Sequence, residues 1–289
     1  MKQKTFVVPT VLICLMTAIA ACVPNQADSG KLAVKRDGGF RQYAAGQAGS
    51  ESLTDVQLKK RLIGKYQVPK EWGEQVTGVK TMLNTSEKVI ALTFDACGGI
   101  NGSGYDAELI HYLRQQNIPA TLFINSRWIE ANYWAFIALS KIPLFEIENH
   151  GTEHRPLSMN GRSAWGIKGT DNVGEIVDEV LANHRKIQKL TGREPKFFRS
   201  GTAYYDEVGV KIANELGEQI AGFRVLGDAG ATYSKQQVKN ALLNAAPGSI
   251  VILHMNKPKS ETAEGVMLAI PELKRQGYRF VKLEDYPLK

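Results

Sequence analysis

From about residue 88 onward, apolar and polar positions follow two alternating rhythms. Short apolar runs, KVIALTFD, ATLFIN, LFEIEN, GSIVILH and RFVKL, predict strands, with FFRS and QIAGFRV as two more. Stretches with helical spacing lie between them: YDAELIHYLRQQ, WIEANYWAFIALSK, VGEIVDEVLANHRKIQKLTG ending on Gly192, a segment near 206–217, QQVKNALLNA, and AEGVMLAIPELKRQGY with a late Pro271. Strands alternating with helices imply βα units and a parallel sheet. About seven such units fit a barrel-like α/β fold better than an open sheet. Ahead of them, LTDVQLKKRLIGKY predicts a helix within 51–66, capped by Ser52 or Thr54.

In parallel α/β folds, chemistry collects at the C-terminal ends of strands. The polar residues there are Asp95, Asn149 with His150, Arg199, Asp228 and His254. One such residue means little, since an Asp after a strand is commonly a turn former. Five on successive strands point to a site. His150 and His154 stand four apart in NHGTEHRPLS, a spacing that lets two imidazoles face one metal ion in a tight turn. The same letters match the H-x-x-E-H of inverted zinc proteases, which need a helix. LFEIEN leading into His150, Gly151, and Pro156 disfavouring helical geometry at Arg155 all argue against one. An Asp bonded to one imidazole nitrogen raises that His pKa, which suits His254 with Asp228 as a general acid pair. Arg199 suits the orienting of a carboxylate.

The first residues are a further signal. MKQKTFVVPTVLICLMTAIAAC has lysines, an apolar run and small residues, the pattern of a signal peptide over 1–21. Ile19-Ala20-Ala21-Cys22 is similar to a bacterial lipobox, which makes Cys22 the lipidated residue; the alternative is ordinary cleavage after Ala18-Ile19-Ala20 with no lipid. Val23 after it implies the periplasmic face of the outer membrane and a membrane partner held through lipid. Residues 22–50 read as a flexible tether and 51–85 as an N-terminal extension before a catalytic domain over 86–289. Losing Lys2 and Lys4 takes the formal charge from +7 to +5. Lys and Arg are scattered, with no run of five, which argues against nucleic acid as a partner. Of three cysteines only Cys97 is left for the domain, so no disulfide framework is expected.

The ordered set TFD, H-x-x-x-H, an Arg-Ser-Gly turn, a strand-end Asp and I-L-H resembles the polysaccharide deacetylases of carbohydrate esterase family four, the NodB-like hydrolases, over roughly residues 86–284. The resemblance implies a distorted (β/α) barrel, a divalent metal, zinc or cobalt, and removal of N-acetyl groups from an acetylated amino-sugar polysaccharide. It also implies roles. Asp95 is the general base, His150 and His154 are metal ligands, Arg199 orients the base, Asp228 supports the acid His254, and the backbone N–H of Thr202 faces the oxyanion.

Three departures stand out. The family's T-F-D-D is T-F-D-A here, so Ala96 replaces an expected metal ligand. Asp95 is the expected substitute ligand, and Cys97 is either a packing residue or a thiolate donor. The Arg turn reads RSGTA, with Tyr204 and Tyr205 after it as a sugar platform or as packing. Asp228 precedes AGATYS, and the polar segment 155–171 is a lid, with Trp165 a sugar contact, or merely a loop. Three alternatives therefore accompany an envelope deacetylase. One is an inactive glycan-binding protein of the same fold, the second an amidase on a small non-sugar amide, and the third the zinc protease.

Overall fold

The computed structural model describes residues 53–66 and 68–289. The signal segment, Cys22, the tether and Ser52 lie outside the described residues. Among the described residues, ten strands and eight α-helices follow in order: α1 (Leu53–Leu62), β1 (Val89–Ala96), α2 (Ala107–Gln115), β2 (Ala120–Ile124), α3 (Ser126–Ala131), α4 (Tyr133–Ser140), β3 (Phe145–Asn149), β4 (Ser163–Ala164), β5 (Ile167–Lys168), α5 (Val173–Thr191), β6 (Phe197–Phe198), α6 (Glu207–Glu215), β7 (Gln219–Ile220), β8 (Val225–Leu226), α7 (Lys235–Leu243), β9 (Ser249–His254), α8 (Thr262–Arg275) and β10 (Arg279–Val281). No helix among the described residues is long and apolar enough to cross a membrane.

Eight of the strands form one parallel sheet in the order β7-β6-β3-β2-β1-β9-β8, with β10 paired to the lower half of β1. The consecutive strands β7 and β8 thus sit at opposite ends of the order. Ala221 N–H donates to Phe198 O on β6, and only three residues later Arg224 N–H donates to Ile250 O on β9. Three residues reach at most about 11 Å, whereas six strand spacings in a flat sheet would separate the edges by about 29 Å. The sheet must therefore curl until its edges nearly meet, giving the distorted (β/α) barrel. Residues before 86 help close the seam: Lys80 N–H donates to Ile220 O, Gly222 N–H donates to Lys80 O, and Leu83 N–H donates to Gly248 O.

Period-two alternation sorts each strand into two columns. Ile90, Leu92, Phe94 and Ala96 join the apolar layer under the helices, while Val89 and Ala91 join the barrel interior with Phe123, Ile250 and Val281. Thr93 and Asp95 continue that inner column, and His254 ends the corresponding one on β9. Asp95 and His254 are cross-strand partners in the register. Asn149 falls in the outward column. Its amide donates to Val180 O on α5 and to Glu218 Oε1, so it fixes a helix and takes no part in the inner site.

Two of the expected elements divide. WIEANYWAFIALSK breaks at Asn132 (φ −129°, ψ 39°), whose amide donates to Ser103 O, giving two short helices. QIAGFRV divides into β7 and β8, because the chain leaves one sheet edge for the other there. Thr54 falls inside α1 rather than at its cap. Gly192 caps α5 in the left-handed region (φ 73°), as its position after the apolar run predicted. The 155–171 segment is an anchored hairpin of β4 and β5: Thr170 Oγ1 accepts from Ser158 N–H and donates to Ser158 O, each at 2.7 Å.

Several acids are buried in this frame. Glu218 accepts from Asn149 and pairs with His184 Nδ1 at 2.7 Å, yet burial dominates and lifts its pKa to about 7. Burial also raises Glu146 and Glu148. A folded-state pKa above the unfolded one means the native state keeps a proton that the unfolded chain has lost. That contribution is complete below about 4.5 and is lost as pH rises towards about 7. Thermal unfolding should therefore show the melting temperature of the wild type falling between about pH 5 and 7. Glu218→Gln should flatten that slope, and an unchanged slope in the variant would refute the assignment.

Candidate active site

The inner columns end at one place. Arg199, which follows β6, is fully buried and carries its guanidinium into the barrel. Nη1 donates to Asp95 Oδ1 and to Thr93 Oγ1, both at 2.8 Å; Nε donates to Ala221 O at 3.0 Å and Nη2 to Gly222 O at 2.9 Å. The guanidinium also lies 4.2 Å from the Phe123 ring centroid. One oxygen of Asp95 is thereby committed, and the other, Oδ2, stands 3.7 Å from His150 Nε2.

His150 Nδ1 lies 2.8 Å from Arg199 O. A carbonyl only accepts, so Nδ1 carries the hydrogen and Nε2 presents a lone pair. His154 packs against His150 edge to face, with ring centroids 4.8 Å apart. The turn between them is not helical: Gly151 has φ 79° and His154 φ 62°, which removes the geometry an H-x-x-E-H zinc protease requires. Glu179 on α5 holds this turn, accepting from Glu153 N–H and Arg155 N–H. A Cβ on Gly151 would come within 2.3 Å of Glu179 Oε1, so only glycine fits there. Sequence reasoning missed Glu179. The available signal was an acid on the buried face of α5.

Cys97 Sγ lies 3.8 Å from His150 Nε2 and is half-buried. Donor atoms of Cys97, His150 and His154 all fall within 4.8 Å of one another, and among the described residues this is the one such cluster of three or more His, Cys, Asp or Glu. Sulfur and imidazole nitrogen are the donors zinc and cobalt favour, so the residues present fit a divalent cation. Burial opposes the His150 imidazolium, but the Asp95 carboxylate and Cys97 outweigh it and raise its pKa. Burial likewise opposes the Cys97 thiolate, but His154, His150 and His254 outweigh it and hold the thiol well below its ordinary range.

On β9, His254 Nδ1 lies 2.8 Å from Asp228 Oδ1, and the His254 backbone N–H donates to Asp228 Oδ2 at 2.7 Å. Thr262 Oγ1 donates to the same Oδ2 at 3.0 Å. Burial lowers the His254 pKa, but Asp228 overrides it and raises it well above the ordinary value. The structure thus gathers Asp95, His150, His154, Arg199, Asp228 and His254 at one end of the barrel.

The turn after Arg199 closes over the histidines. A Cβ on Gly201 would stand 2.1 Å from His154 O and 2.5 Å from its ring. Thr202 (φ 82°) and Ala203 (φ 54°) are both left-handed, a costly state for a β-branched residue, and Thr202 Oγ1 is buried without a partner. The two tyrosines that follow differ. Tyr205 is fully buried and its hydroxyl accepts from Ser200 N–H, so it packs. Tyr204 is half-buried beside Trp72, at 5.8 Å between centroids, and Trp165, at 6.1 Å. Trp165 occupies the tight β4–β5 turn with φ 52°, followed by Gly166 at φ 76°, and is 75% exposed. Arg162 lies over Trp72 at 4.9 Å.

The fold and site together define a parallel α/β barrel with a pocket of His, Cys and Asp side chains at its strand ends. Comparison with known proteins narrows this: residues 83–221 match the polysaccharide deacetylase family model. The peptidoglycan-N-acetylglucosamine deacetylase of Bacillus cereus is 28% identical over 204 residues, covering 69% of this chain and 88% of that protein. The peptidoglycan-N-acetylmuramic acid deacetylase PdaA of Bacillus subtilis is 26% identical over 212 residues, covering 70% and 72%. Its solved structure, a family 4 carbohydrate esterase, superposes with a TM-score of 0.58 at 25% identity over 80% of this chain and 88% of that one. A cobalt-bound family 4 acetyl xylan esterase of Clostridium thermocellum gives 0.55 at 25% identity, covering 68% and 89%. Over residues 83–221 the chain is thus similar to the polysaccharide deacetylases, and its fold is that of the family 4 carbohydrate esterases.

Because Gly201 leaves no room for a methyl group, Gly201→Ala should displace His154 and cost about 1–3 kcal/mol of stability. Denaturant unfolding and the His154 imidazole NMR resonances test this. An unchanged midpoint with unchanged resonances would refute it.

Proposed function

We propose that this protein is a divalent-cation-dependent hydrolase that removes N-acetyl groups from amino sugars of an envelope polysaccharide such as peptidoglycan. The carrying observation is the register pairing of Asp95 and His254 on adjacent strands, each tied to its own partner, Arg199 and Asp228, beside His150 and His154. A carboxylate and an imidazole, each oriented by its own partner, are what acid–base hydrolysis needs. The peptidoglycan deacetylases of B. subtilis and B. cereus, by their names, support the substrate class.

Each side chain then has a task. His150 and His154 would hold the cation, and zinc or cobalt bound there would supply Lewis acidity. Asp95, with Oδ1 locked on Arg199, keeps Oδ2 to receive a proton as the general base. The strained backbone at Thr202 is assigned the N–H donor to the oxyanion. His254, engaged through Nδ1 by Asp228, passes the Nε2 proton to the departing amine. Tyr204, Trp72 and Trp165 form a stacking face for further sugar rings of the chain.

Acetate release from N-acetylglucosamine oligomers and from peptidoglycan, by the purified full chain with added zinc or cobalt, tests the reading. Asp95→Asn and His254→Gln should each lower kcat by about 10²–10⁴-fold. Trp165→Ala should raise KM for oligomers and leave small acetamides unaffected. Glycan binding without acetate release would favour a binding protein, and turnover confined to small amides would favour an amidase. We further propose anchorage at the periplasmic face of the outer membrane through lipid on Cys22. Cys22→Ala should then move the chain from the membrane to the soluble fraction, and an unchanged distribution would exclude the anchor.

A further inference from the structure

We infer that Cys97 is the third protein ligand of the cation, making a Cys-His-His site in which Asp95 is left free as a base. The inference deepens the cation site of the proposed hydrolase and rests on that reading. It starts from the columns of β1. Ala96 is fully buried in the apolar layer beneath the helices, so its side chain faces away from the histidines. Cys97 is the next residue of the inward phase. Immediately after it the chain reverses through Gly98 (φ 73°) and Gly99 (φ 79°), with Gly98 N–H donating to Gly102 O at 2.8 Å. A Cβ on Gly98 would meet Trp128 N at 2.6 Å, so this turn is held tightly against α3. The thiol is therefore delivered by a constrained backbone.

The distances suit ligation. With Zn–S near 2.3 Å and Zn–N near 2.05 Å at tetrahedral angles, sulfur and nitrogen should be about 3.6 Å apart. Cys97 Sγ and His150 Nε2 are 3.8 Å apart. The hydrogen bond from His150 Nδ1 to Arg199 O turns the Nε2 lone pair towards this spot, as an outer partner of a metal-bound imidazole does. Asp95 Oδ2 is 3.7 Å from the same nitrogen but falls outside the set of donors within mutual reach, and its other oxygen is spent on Arg199. Three protein donors leave one tetrahedral position open, the arrangement of a catalytic site. A thiolate among them favours zinc or cobalt over magnesium, calcium or manganese. Cys97 is the one free cysteine among the described residues, and no disulfide competes for it.

Cobalt(II) reports its own ligands, which gives a readout independent of turnover. The purified full chain, stripped of metal and titrated with cobalt(II), should bind about one equivalent and show a near-ultraviolet sulfur-to-cobalt charge-transfer band. Cys97→Ser should lose the band and weaken cobalt binding by more than the ~100-fold that a lost outer-sphere contact costs. Cys97→Asp should bind cobalt without the band, a control that separates lost ligation from lost folding. Asp95→Asn should keep both metal and band. Cobalt bound without the band in the wild type, or metal lost in Asp95→Asn, would overturn the inference in favour of Asp95 as ligand. Failure to bind cobalt at all would overturn it too. A band present with no acetate released would leave the Cys-His-His site standing and remove only the proposed deacetylase reaction.

Discussion

The buried guanidinium of Arg199 is the interaction on which the rest of this structure depends. An uncompensated charge in a barrel interior is prohibitively expensive. This one is satisfied by Asp95 and Thr93 on the central strand and by the carbonyls of Ala221 and Gly222 on the link between the two sheet edges. The same side chain thus ties the seam of the barrel to its middle and fixes the Asp95 carboxylate. Its own carbonyl orients His150. Fold closure, carboxylate orientation and imidazole tautomer are coupled through one residue, and a planar fork of fixed donors is the chemistry that allows it.

Around this centre the pocket is built from pairs: Asp95 with Arg199, Asp228 with His254, and His150 with Cys97. Each pair sets the charge or direction of one member against the cost of burial. The outer shell does the same for backbone, with Glu179 gathering the N–H groups of the histidine turn and Gly201 making room for His154. The aromatic face of Trp72, Tyr204 and Trp165 draws on three separate segments.

Much of this was legible in the chain. The alternation of apolar runs with helical stretches identified the strands, because a two-sided buried parallel strand has few other compositions. Five polar residues at strand ends marked the site before any contact was known. Asn149 was the exception: one step of register puts it on the helix side. The break at Asn132 and the division of QIAGFRV were not legible, since both are imposed by distant partners, Ser103 and the two sheet edges. The β4–β5 hairpin escaped notice because its stability lies in buried contacts of Thr170 and Ser158 rather than in any local apolar pattern.

By itself, the sequence determined which residue types stand at the strand ends, because periodicity and turn chemistry are local properties. It thereby determined the resemblance to the polysaccharide deacetylases and the availability of carboxylates and imidazoles at one end of the barrel. Only the tertiary structure decided which side of the sheet each of them faces and which atoms meet. Whether Ala96 or Cys97 points at the histidines depends on the phase of β1 against β2 and β9 and on the tight turn over α3. That Tyr204 meets Trp72 and Trp165 while Tyr205 is buried likewise depends on segments more than thirty residues apart. Contacts of that kind are set by the packing of the whole barrel, and no short stretch of chain contains them.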